Sequence, residues 1–151
     1  MATDDEFLAA FESCTWPLDQ WHHRQHIKVA YLYLRRFPFE TAVARMRERI
    51  QAYNAANQVP DGPDRGYHET VTQAWMRLVH YTLEAFGPCQ SADAFIDGQS
   101  QLLSARALLF FYSRERITSS EAKYVFLEPD LTRFPQIRSS YREKSNRREI
   151  N

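Results

Sequence analysis

Three of the five histidines fall within residues 22–26, in Trp21-His22-His23-Arg24-Gln25-His26, and a fourth stands in Gly66-Tyr67-His68-Glu69-Thr70. Imidazole is the commonest protein metal ligand, and its unperturbed pKa lies near neutrality. Two short segments therefore concentrate the chain's metal-binding and acid–base chemistry. A helical residue advances about 100°, which puts His23 and His26 in one arc with Ile27, Ala30, Leu34 and Phe37, the stripe expected to face the core. On a second wheel His68 heads the stripe Thr72, Trp75, Val79, Leu83 and Phe86. His22 and His80 fall off these arcs and read as surface or locally paired residues.

If the two helices are neighbours, His23, His26 and His68 would converge as three nitrogen ligands with an open fourth position. That set suits a divalent transition metal such as zinc, copper or iron. The expected site is then that of a small metal-dependent enzyme, hydrolytic or oxidative, acting on a small molecule. Glu69 is its candidate general base and Tyr67 its proton donor. Thr72 could orient an imidazole, and Arg24 or Arg65 could anchor an anionic substrate. A metal-free enzyme with one histidine as acid or base needs no assembled ligand set. A non-catalytic helical binding module, its histidines forming a polar core network, is the third reading, since no nucleophile elbow or phosphate-cradling Gly-rich loop excludes it.

The elements that must position these residues are helical. Phe7, Leu8, Phe11 and Cys14 recur at three and four spacing after Thr3 and Glu6 in capping-box order, which predicts a first short helix. Pro17 interrupts it, and a second helix is expected from about Leu18 to Arg36, interior and with little polar face. Pro38 separates this from a third, Glu40 to about Ala56, with Ala42, Met46, Ile50 and Tyr53 on one side and a solvated Arg45–Arg49 side. The two prolines and two glycines of residues 59–66 cannot continue a helix and make a constrained loop. A fourth helix runs from His68 to Phe86, stopped by Gly87-Pro88. Further helices are expected at about Ala92–Leu103, Ser104–Tyr112 and from Ser119 or Ser120. The fold class is all-α: a single-domain bundle of about six or seven helices over residues 1–151, with a polar tail expected to be loose from about 138.

A chain of 151 residues can bury a continuous core without disulfide or metal staples. Its 19 basic and 19 acidic residues cancel, which disfavours nucleic acid as a partner. Cys14 and Cys89 form no C-x-x-C pair and read as small apolar residues. The acidic start and the lack of an apolar run near ~18 residues argue against a signal segment or a membrane span, so a cytoplasmic setting is expected. An aromatic content of 14% leaves room for a homodimer interface.

The combination Trp21-x-His23-x-x-His26, Tyr53-Asn54, Gly66-Tyr67-His68-Glu69-Thr70-x-Thr72-x-x-Trp75, Tyr112-Ser113-x-Glu115 and Glu128-Pro129-Asp130-Leu131 resembles a family of small, uncharacterised bacterial helical proteins. The resemblance runs from about Trp16 to Pro135. It implies a shared site containing His23, His26 and His68, with Tyr67 and Thr72 close by, and carries no activity.

Overall fold

A computed structural model describes residues 2–137 as seven α-helices and three short 3₁₀ segments, with no strand among them. The polar tail expected to be loose from about 138 lies outside the described residues. Helix α1 (Asp4–Glu12) starts where Thr3 Oγ1 accepts from the Glu6 N–H at 3.2 Å, with Asp4, Asp5 and Glu6 set against the positive helix end. A 3₁₀ turn (Leu18–Gln20) follows Pro17, so α2 begins later than the periodicity predicts and spans His23–Arg36. His23 is thus the first residue of α2, and His22 is its N-cap.

Helix α2 is the central strut. Every residue from Ile27 to Tyr33 is buried, because α2 packs against α1, against α3 (Phe39–Ala56), α4 (Glu69–Phe86) and α5 (Ala92–Asp97), and against the 3₁₀ segment Ser100–Leu103. Lys28 is carried into this interior by its aliphatic stem. Its ammonium pairs with Asp93 at 3.1 Å and lies 4.4 Å from the Phe7 ring centroid.

The helix expected over Ala92–Leu103 is split. Gly98 ends α5 by donating to Ala94 O, and the chain re-forms as 3₁₀ turns at Ser100–Leu103 and Ala105–Phe110. Two short helices that each start on a serine cap, α6 (Arg114–Ile117) and α7 (Ser120–Tyr124), complete the fold. No described helix is long and apolar enough to cross a membrane.

Between α3 and α4 the Pro/Gly loop closes on itself through paired Gly62 and Arg65 backbone bonds. Gly66 has φ +87°, and a Cβ there would lie 2.5 Å from Asp61 Oδ1, so the tight return to α4 requires glycine. Lys123 of α7, 4% exposed, clamps this loop with all three ammonium donors. They reach Asp61 Oδ1 at 2.8 Å, Arg65 O at 3.1 Å and Tyr67 O at 2.6 Å.

Candidate functional site: an imidazole-lined pocket

Where α2, α3 and α4 converge, they enclose a half-open pocket of about 310 Å³. Its walls are Ile27 and Ala30 from α2, Met46 and Ile50 from α3, and Val71, Thr72, Trp75 and Met76 from α4, closed at one side by Trp21, His22, His23 and His26. Two of the three predicted ligands, His23 and His26, therefore share one cavity with predicted Thr72.

Each of the three histidines is oriented by a backbone carbonyl. Because a carbonyl oxygen only accepts, the nitrogen facing it carries the proton. His23 Nε2 donates to Leu102 O at 2.8 Å, tying the start of α2 to the 3₁₀ segment, and the ring packs 4.5 Å from Trp75. His26 Nδ1 donates to His22 O at 3.1 Å, and its ring lies 4.2 Å from Trp21, itself stacked on Phe11. Burial of the His26 ring pushes its pKa down to about 4, with the nearby His23 adding to the effect against the opposing His22 bond. His26 is thus neutral at physiological pH and holds an Nε2 lone pair that no described residue engages. In its neutral form His23 likewise keeps a lone pair on Nδ1.

His68 is different, and the expected three-histidine set does not assemble. It is the N-cap of α4: Nδ1 accepts from the Val71 N–H at 3.1 Å, and Nε2 donates to Ile117 O at 3.0 Å. Both ring nitrogens are spent on structure. Among the described residues, no group of three or more His, Cys, Asp or Glu side chains is placed to hold a metal ion.

Glu69 and Tyr67, predicted as base and proton donor, line a separate recess together with Arg47 and Lys123. The Glu69 carboxylate receives a bidentate Arg47 pair at 2.7 Å and 2.7 Å, the Tyr67 hydroxyl at 2.7 Å and Gln73 Nε2 at 2.6 Å. Burial opposes its charge, but these Arg47, Gln73 and Tyr67 bonds outweigh burial and hold the pKa down to about 2. A carboxylate so occupied is a poor general base. Burial and the bond to Glu69 in turn raise the Tyr67 pKa, so it is an equally poor acid.

The predicted anion anchors also have other partners or places. Arg24 pairs with Asp93 at 3.0 Å and Asp97 at 2.8 Å, and Arg65 sits exposed in the clamped loop. Neither lines the histidine pocket. His80 Nε2 lies 3.3 Å from Glu84 but forms no hydrogen bond among the described residues.

Sequence reasoning did not foresee Arg47, read as part of a solvated face, or the Leu102 and Ile117 carbonyls that orient His23 and His68. Backbone acceptors from distant segments leave no residue-type signal. Comparison of the chain with protein-family models, curated proteins and solved structures found no match in any of the three.

Proposed function

We propose that the chain binds a small organic molecule in the pocket between α2, α3 and α4, and that the pre-oriented imidazoles of His23 and His26 act on it. The observation that carries this reading is the unequal use of the histidines. His68 spends both nitrogens on the fold, whereas His23 and His26 each spend one and line a cavity whose other walls are almost wholly apolar. A fixed tautomer gives a hydrogen-bond acceptor or a proton-accepting nitrogen without reorganisation when a ligand arrives.

The reading is tested by ligand-observed NMR against a fragment library, using the parent protein and a pocket-filled Ala30→Leu variant that remains folded. Hits that bind the parent and are lost from the filled variant support it. An absence of hits, or hits that bind both equally, would remove it.

A metal-dependent variant of the same site has one observation in its favour: two imidazoles with uncommitted nitrogens share the cavity. A divalent metal there would be held by His23 and His26, with an oxygen of the bound molecule completing the shell. Dialysis against chelator separates the two readings, because fragment binding through imidazole acceptors alone survives metal removal and metal-bridged binding does not.

A further inference from the structure

Resting on the pocket reading above, we propose that the ligand is a neutral, flat, two-ring molecule carrying a hydrogen-bond donor, the class of a hydroxylated bicyclic aromatic. Three features of the cavity select it.

The first is size. A cavity of about 150 Å³ holds one benzene ring, and this pocket, at about 310 Å³, has room for two fused rings.

The second is wall chemistry. Trp21 and Trp75 supply aromatic wall surface, and Met46 and Met76 supply polarisable sulfur, both of which favour a flat aromatic occupant over an aliphatic chain. No Asp, Glu, Lys or Arg lines the cavity, so an ionised ligand would lose its hydration without gaining a counter-charge.

The third is polarity. The proton of His26 Nδ1 is already donated to His22 O, so this ring offers its Nε2 lone pair rather than an N–H group. At His26 Nε2 an acceptor-only ligand would meet an acceptor, and a ligand bearing an O–H would satisfy it.

The test is titration of the full chain at pH 7.5 with 2-naphthol, 2-methoxynaphthalene and 2-naphthoate, followed by tryptophan fluorescence and calorimetry. The inference predicts that 2-naphthol binds at least about ten-fold tighter than either analogue, since a site built to pair with a hydroxyl discriminates against a ligand that lacks one. In His26→Phe, which keeps a ring against Trp21 and removes the acceptor, the preference for 2-naphthol over 2-methoxynaphthalene should fall by most of that factor while 2-methoxynaphthalene binding persists. Equal affinity of the parent for 2-naphthol and 2-methoxynaphthalene overturns the donor requirement and leaves the pocket reading standing. Tighter binding of 2-naphthoate overturns the neutrality requirement. Binding of none of the three overturns the inference, and the fragment screen then decides the pocket reading separately. The parent comparisons need no variant, so they hold even if His26→Phe does not fold.

Discussion

A histidine's sequence neighbours do not tell whether it serves the fold or a ligand; the partners of its two nitrogens do. His68 caps α4 with one nitrogen and reaches Ile117 O with the other. His68→Ala should therefore destabilise the protein by about 1–2 kcal/mol, the usual worth of a lost cap with some further loss from the orphaned carbonyl. His68→Asn, which can still cap, should cost less. Urea unfolding of the two variants measures this, and 2-naphthol affinity should be little changed in either. Glu69 is a second such case. Arg47→Ala would strip a carboxylate that is 8% exposed of its charge partner, at a cost of about 2–3 kcal/mol, towards the low end for a broken buried pair because Arg47 itself is partly solvated. Glu69→Gln should likewise appear as lost stability rather than as lost ligand affinity.

Two residues at this scale also contribute to the acid sensitivity of the fold. The His26 pKa is lowered in the folded chain to about 4, so the unfolded chain binds its proton first as pH falls, and stability is lost between about 6.5 and 4. The Glu69 pKa is lowered to about 2, so its contribution is complete above about 4.5 and is lost as pH falls towards 2. Each is worth at most on the order of 3 kcal/mol. Thermal unfolding should therefore show a midpoint falling from pH 7 to pH 4, and in His26→Phe the first part of that fall should be shallower. An equally steep fall in the variant would assign the acid sensitivity elsewhere.

At the scale of elements, what was legible in the sequence and what was not divides by range. The apolar periodicity of α1, α3 and α4, the Pro and Gly stops and the all-α class are local properties, and the structure carries them. The wheel put His23, His26 and Thr72 on inward faces, and all three are half-buried in the pocket wall, whereas Phe86, on the same stripe as Thr72, is exposed at the end of α4. The wheel could not place His68, which precedes α4 and takes its direction from Ile117, 49 residues away. Nor could it find the break at Gly98, where a capping bond back to Ala94 O ends α5 in favour of 3₁₀ turns that bring Leu102 O to His23.

The loop before α4 was legible as constrained, but its clamp was not, since nothing in the sequence marks Lys123 as buried. Lys123→Met should keep the stem packing and release three oxygen acceptors. The predicted result is faster amide exchange confined to residues 60–67. Unchanged exchange there would show that Gly66 and the paired Gly62–Arg65 bonds hold the loop without it.

For the whole molecule, a central helix buried from Ile27 to Tyr33 and ringed by its neighbours makes a rigid frame, and the pocket opens beside the end of α2 that carries His23 and His26. Rigidity there lets two imidazoles keep fixed tautomers without a ligand. The most direct measurement is the imidazole ¹⁵N spectrum of histidine-labelled protein at pH 8, before and after 2-naphthol is added. His26 should be neutral with its proton on Nδ1, and His23 and His68 should each carry a proton on Nε2. On addition of 2-naphthol, the His23 and His26 signals should move and the His68 signals should stay. Joint movement of all three, or a His26 protonated on Nε2, would contradict the division of labour between the pocket histidines and the cap.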